Sequence, residues 1–347
     1  MTSSAVFLPL RELGALVRAR RVSPVALATE FLGRLEALGP RYNAVVTVTR
    51  ERALAEARRA EAEIAAGGWR GPLHGIPYGA KDLFATAGGV PTTWGAAPLR
   101  DQTFDADATV IRRLETAGAV LVAKLAMVEL AGGAGYRQPR AAFTGPGKSP
   151  WGEDAWSGGS SSGSASAVAA GLVPYALGSE TWGSIVSPAA NCGVTGLRPT
   201  LGRVSRHGAM ALSWSLDKVG PLGLTADDCG LVLEAIAGPD PLDSSAENRP
   251  FRYDAEDRPG RRFRFGVLRA AVEVADADVR ARFEEALDVL RALGTVEDVA
   301  LPPLPYETIT RTILFAEAAS ALEGLVESGA VAELTAPEDR YGLYARD

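Results

Sequence analysis

The stretch Gly158–Glu180, GGSSSGSASAVAAGLVPYALGSE, begins like a flexible linker and ends like part of a folded sheet. Gly/Ser runs commonly serve as unstructured tethers. Here the run passes without a break into Ala165–Ala170, small residues suited to a helix, then a turn at Gly171 and an apolar strand toward Gly178. A tether is not followed directly by such a helix. Side chains as short as Ser, Ala and Val also require the helix to pack closely on its neighbours.

The same order recurs upstream. DATVIRRLETAGAVLVAKL predicts a helix over Ala108–Ala117, a stop at Gly118 and a strand over Ala119–Ala123. NAVVTVT, from Asn43, is a short β-branched strand, and Arg50–Ala66 follows as a helix ending at Gly67-Gly68. Leu10–Arg20 and Pro24–Leu38 read as a pair of amphipathic helices. The second opens with Ser23 as cap and Pro24 at the first helical position, and closes at Gly39-Pro40. Downstream, Pro239–Gly260 reads as an exposed loop and RFRFGVLRA as a strand. Val279, Phe283, Leu287 and Leu290 mark a helix over Ala277–Leu293. Alternation of this kind predicts an α/β protein with a sheet covered by helices. No internal repeat is visible and no clean boundary separates independent domains, the Pro239–Gly260 loop being the best candidate, so residues 1–347 are taken as one domain. The closing APEDRYGLYARD follows a long helical stretch without a cap, and the domain is expected to be incomplete at its C-terminus.

Composition narrows the function. With 347 residues and 47% hydrophobic content the chain can bury a large core. A net charge of −6, with no basic run, argues against nucleic acid or an anionic membrane as the main partner and favours small molecules. Cys192 and Cys229 stand in unrelated contexts, giving neither a disulfide framework nor a paired-cysteine metal site. No stretch reaches bilayer length and no signal peptide opens the chain, so a cytoplasmic location is expected.

The basic residues are unevenly chosen. Only Lys81, Lys124, Lys148 and Lys218 are lysines, and the remaining 32 of the 36 basic residues are arginines. Arginine supplies permanent charge, whereas a buried lysine can lose its proton and act as a base near neutral pH. Lys81 sits in PLHGIPYGAKDLFATAGG, where burial is plausible. The two histidines, His74 in a Gly/Pro-rich turn and His207 in RVSRHGAM, lack an accompanying nucleophile elbow and read as structural. No H-E-x-x-H, P-loop or G-x-G-x-x-G in the required context is present, so no metal and no cofactor is expected.

Taken together, HGIPYGAKD, DADATVIRRLETAGAV, SPWGEDAWSGGSSSGS, GSETWGSIVSPAANCGVTGLRP and GRVSRHGAMALSWSLDKVGPL, in that order, resemble the amidase signature family, the Ser-cisSer-Lys hydrolases. The resemblance implies an α/β/α sandwich with a mixed central sheet flanked by helices, and hydrolysis of a carboxylic amide to an acid and ammonia or an amine. By position it carries the family's catalytic lysine onto Lys81, the bridging serine onto Ser160, after a cis Gly159-Ser160 bond, and the nucleophile onto Ser184. Backbone N–H groups across Thr181, Trp182, Gly183 and Ser184 then form the expected oxyanion hole. Ser161 and Ser162 are expected to satisfy nearby backbone groups, Asp82 to anchor its loop, and Asp217, Arg198 and Arg206 to serve structural hydrogen bonds.

Many members carry Asp-x-Gly-Gly-Ser-Ile-Arg around the nucleophile. This chain has Glu180, Trp182 for the first glycine and Val186 for the arginine, which weakens any transfer of substrate. The family also includes the glutaminase component of tRNA-dependent amidotransferases, which frees ammonia from glutamine within a complex. Such a component, or a truncated and inactive form, is the alternative to an independent amidase. The expected partners are accordingly a small amide, a second copy of the chain, or the other subunits of an amidotransferase.

Overall fold

The computed structural model describes residues 3–132, 141–152, 154–253 and 261–336. They fall into two compact units, one holding the residues up to 253 together with those from 311 onward, the other holding residues 261–310.

The first unit is built on a six-stranded mixed sheet. Its strands are β1 (Val45–Val48), β2 (Pro77–Lys81), β3 (Val120–Leu125), β4 (Tyr175–Glu180), β5 (Thr195–Gly196) and β6 (Lys218–Gly223), in the order β1-β3-β2-β4-β6-β5. β3, β2 and β4 are parallel, while β1 at one edge and β6 next to β4 run antiparallel. The parallel strands are buried at almost every position, as a sheet covered on both faces requires.

Strand periodicity sorts the side chains between two cores. Tyr78, Leu121, Tyr175, Leu177 and Val219 join the core beneath α1 (Leu10–Arg18), α4 (Thr109–Thr116) and α7 (Ala226–Ile236). Val120, Val122, Ala176 and Leu222 join the other, beneath α3 (Arg50–Ala65), α5 (Ser162–Ala169) and α6 (Val186–Cys192). The helix α2 (Pro24–Tyr42) contributes to both. The architecture is therefore the expected α/β/α sandwich.

Helix α5 packs as its composition demands. The Gly163 N–H donates to the Ala126 carbonyl at 2.8 Å. A Cβ at Gly163 would stand 2.4 Å from the Ala44 oxygen and 2.5 Å from the Ala126 nitrogen. Only a residue without a side chain allows that approach. Helix α2 departs from expectation: it runs through Gly39-Pro40 to Tyr42, ending on Asn43 in the left-handed region at φ 50°. A proline so near the last turn removes little of the hydrogen-bond ladder, and the asparagine cap closes the helix instead.

In the second unit, β7 (Phe263–Val267) pairs in parallel with β8 (Gly294–Asp298), and α8 (Arg269–Glu273) and α9 (Ala277–Leu293) lie between them in sequence. The expected strand and helix are both present. Part of the expected Pro239–Gly260 loop, residues 254–260, and the closing APEDRYGLYARD from 337 onward lie outside the described residues. Helix α10 (Tyr306–Ala321) contributes Leu314 and Ala318 to the first unit's core. No helix among the described residues is long and apolar enough to cross a membrane.

Candidate active site

Lys81 is the last residue of β2 and Glu180 the last of β4. The parallel pairing of these strands brings their carboxyl ends together, the position where open α/β sheets hold their ligands. The turn from β4 into α6 carries Thr181, Trp182, Gly183 and Ser184. The Gly/Ser run enters α5 directly beside it: the Ser161 N–H donates to the Ser184 carbonyl at 3.2 Å.

Lys81 is fully buried. Its Nζ lies 2.7 Å from Ser160 Oγ, 3.0 Å from Ser179 Oγ and 3.4 Å from the Ser179 carbonyl. The Gly159–Ser160 peptide bond is cis. Burial drives the Lys81 ammonium from its ordinary 10.5 down to about 7, against the opposing pull of Asp217 and Glu180. Ser160 and Ser184 are buried as well. Lys81 and Ser160 thus meet directly, and Ser184 stands on the segment hydrogen-bonded to the Ser160–Ser161 pair.

The surrounding residues fix this arrangement. Ser161 Oγ donates to the Ser179 carbonyl and Ser162 Oγ to the Ala126 carbonyl, so the serines after Ser160 satisfy main-chain groups as expected. Asp82 accepts the N–H and hydroxyl of Thr93 and faces Lys124 Nζ at 3.0 Å, both side chains being buried, which anchors the chain just past Lys81.

Glu180 has a role the sequence did not reveal. Its Oε2 accepts the N–H groups of Ile185 and Val186 at 2.8 and 3.0 Å, and Oε1 meets Arg198 at 3.0 Å. Burial pushes this carboxyl up, but the N–H groups of Val186, Ile185 and Gly183 and the Arg198 guanidinium outweigh it, so Glu180 titrates below its ordinary range. The carboxylate thus wraps the turn that carries Ser184. On the other side, Thr181 Oγ1 donates to Asp217 Oδ1 at 2.6 Å, and Asp217 Oδ2 accepts the N–H groups of Leu212 and Ser213.

A cavity of about 220 Å³ opens beside the turn, lined by Ser179, Thr181, Asp217, Lys218, Met210 and Trp214 among others. His207 also borders it. His74 is held elsewhere: Nδ1 accepts the Arg70 N–H and Nε2 faces Glu63 Oε2 at 3.1 Å, which identifies the neutral tautomer protonated on Nε2. Burial lowers its pKa and favours that neutral form. Arg206 donates to the Trp214 carbonyl and to Ser245 Oγ, a structural role like that expected. Burial raises both thiols, Cys192 and Cys229, to about 12, leaving them poor nucleophiles. Among the described residues no group of three or more His, Cys, Asp or Glu is arranged to hold a metal.

The model of the Amidase family matches residues 26–340. The chain belongs to the amidase family. Among curated amidase-family relatives, the A subunit of the glutamyl-tRNA(Gln) amidotransferase of Aromatoleum aromaticum is 47% identical over 302 residues, 84% of this chain and 61% of that protein. The chain therefore spans less than two thirds of that relative's length. The solved peptide amidase of Stenotrophomonas maltophilia superposes with a TM-score of 0.82 at 35% identity, over 92% of this chain and 68% of its own. A protein described in a vestigial complex bearing on the origins of an s-triazine catabolic enzyme reaches 0.88 at 31% identity, over 98% of this chain and 74% of its own.

Proposed function

We propose that the chain hydrolyses a carboxylic amide through an acyl-enzyme on Ser184, with Ser160 relaying protons to Lys81. The observation that carries this reading is the fully buried Lys81, lowered to about 7 and in hydrogen-bond contact with Ser160. A neutral lysine has two N–H bonds and one lone pair. The Ser179 hydroxyl and carbonyl oxygens accept the two N–H bonds, and the lone pair is left for the Ser160 proton.

The steps follow. Ser184 Oγ attacks the amide carbon while its proton passes to Ser160 Oγ and the Ser160 proton passes to Lys81. The carbonyl oxygen becomes an oxyanion, held by backbone N–H groups of the Thr181–Ser184 turn other than that of Gly183, which the Glu180 carboxylate takes. The C–N bond breaks, and the leaving amine takes back the proton from Lys81 through Ser160. Water then attacks the acyl ester by the same proton route, releasing the acid and restoring Ser184.

The test is a panel of glutamine, propionamide, benzamide and leucinamide incubated with the purified chain, with mass-spectrometric detection of the released acid. At least one amide is expected to turn over, and Ser184→Ala, which is nearly isosteric, is expected to abolish turnover in a folded protein. Near wild-type turnover by Ser184→Ala would overturn the assignment.

A second reading is favoured by the amidotransferase relatives: the chain is a glutaminase component that works within a complex. It predicts turnover of glutamine alone among the panel, and only after the partner subunits are added. The independent amidase predicts turnover of another amide by the isolated chain.

A further inference from the structure

We propose that Lys218 is a positioning residue for the Thr181–Ser184 turn, anchoring the Thr181 carbonyl and thereby aiming the N–H that follows it; the inference rests on the acyl-transfer reading above. Lys218 is one of only four lysines, the first residue of β6, and the antiparallel partner of Glu180. Beyond that pair the chain leaves the sheet, and Thr181 passes out of the ladder. Two adjacent residues, Asp217 and Lys218, then hold it. Asp217 accepts its hydroxyl at 2.6 Å, and Lys218 Nζ donates to its carbonyl at 3.1 Å.

The peptide group is planar and trans, so a carbonyl and the N–H of the next residue point in opposite directions. Fixing the Thr181 carbonyl toward Lys218 fixes the Trp182 N–H away from it. Packing holds the two ends of the turn, where Thr181 and Ser184 are buried, but not its middle. A Cβ at Gly183 would meet nothing within 4 Å, and Trp182 is 40% exposed. Charged side chains at the ends of β4 and β6 hold it as well: Asp217, just before β6, and Lys218 at the start of the turn, Glu180 at its end.

Lys218 Nζ donates to both the Thr181 and Leu216 carbonyls, so one ammonium ties the start of the turn to the segment that leads into β6.

The test compares wild type, Lys218→Met, which keeps length and loses the donor, and Lys218→Gln, which restores a neutral donor. Hydrogen exchange of a peptide covering 181–186 is expected to accelerate in Lys218→Met, with the peptide covering 162–169 unchanged. On the amide of the panel turned over fastest, kcat is expected to fall by about ten- to a hundredfold, less than the ~10²–10³ for removing an oxyanion donor outright. KM and the pH midpoint are expected to hold, and Lys218→Gln to recover part of kcat. Unchanged exchange overturns the proposal. So does a raised KM at constant kcat, which makes Lys218 a substrate ligand, or a shifted pH midpoint, which makes it a charge acting on Lys81. Ser184→Ala measured alongside separates the two levels: turnover surviving there removes the acyl-transfer reading, whereas the exchange result judges Lys218 without any substrate.

Discussion

Lys81 combines complete burial with a titration near neutrality, and both properties have measurable consequences. On the proposed mechanism the neutral amine is the base, so kcat is expected to rise with pH through about 7 and level off above it. Lys81→Arg retains charge but accepts no proton, and is expected to be inactive at every pH tested while remaining folded by circular dichroism. Asp217 raises the Lys81 pKa, so Asp217→Asn is expected to move the midpoint of the pH–rate profile downward. The same burial affects stability. The unfolded chain holds this lysine near 10.5 and the folded chain near 7. Below 7 both states carry the proton and the buried charge weakens the fold; between 7 and 10.5 only the unfolded state is charged, and stability recovers as pH rises. The cost at low pH is at most about 5 kcal/mol, less what the serine hydrogen bonds return. Lys81→Met is therefore expected to melt higher than wild type at pH 6, with the gap narrowing toward pH 10. Lys81 itself was legible in the sequence, as a lysine among arginines and as part of an ordered set of motifs. Lys218 carried the same mark of a rare lysine, but what it touches, like the contacts of Ser179 and Glu180, depends on which groups the sheet brings opposite them, and no local spacing records that.

At the scale of elements, periodicity and punctuation went far. Helices α1, α3, α4 and α9 and strands β1, β3 and β7 fall within a few residues of their predicted spans. Strand β2 is short, and its Pro and Gly content hides it among turns. Helix α7 carried a readable signal: Thr225 caps it and Asp228 reaches back to the Thr225 N–H, a capping box spelled in the sequence. Thr225→Ala is expected to cost about 1 kcal/mol, read as a lower denaturation midpoint at unchanged slope. Gly163→Ala tests the close approach of α5. The added methyl meets two backbone segments that cannot both move aside, so a loss of about 3 kcal/mol is expected, whereas the same change in an exposed helix would gain about 0.5–1 kcal/mol.

For the molecule as a whole, the sandwich was legible because helix and strand signals alternate, but the strand order was not. Sequence does not say that β1 lies beyond β3 or that β6 returns beside β4. The two units differ in their burial. Most side chains of β2, β3 and β4 are buried, while in residues 261–310 few are, Val267 and Leu287 among them. Amide exchange is accordingly expected to be faster across β7, α9 and β8 than across β2–β4, on the principle that local opening follows sparse apolar burial.

The pairing of β2 with β4 has one more consequence. Lys81 and Ser160 are 79 residues apart in sequence and meet only when distant parts of the chain have found one another. Contacts of such separation arrive late, after shorter loops have closed. Until then the lysine is an ordinary solvated ammonium and the serines are ordinary alcohols. On the proposed mechanism a nascent or misfolded copy is thus chemically silent toward the amides around it, and reactivity is switched on by the completed sheet rather than by any short peptide within it.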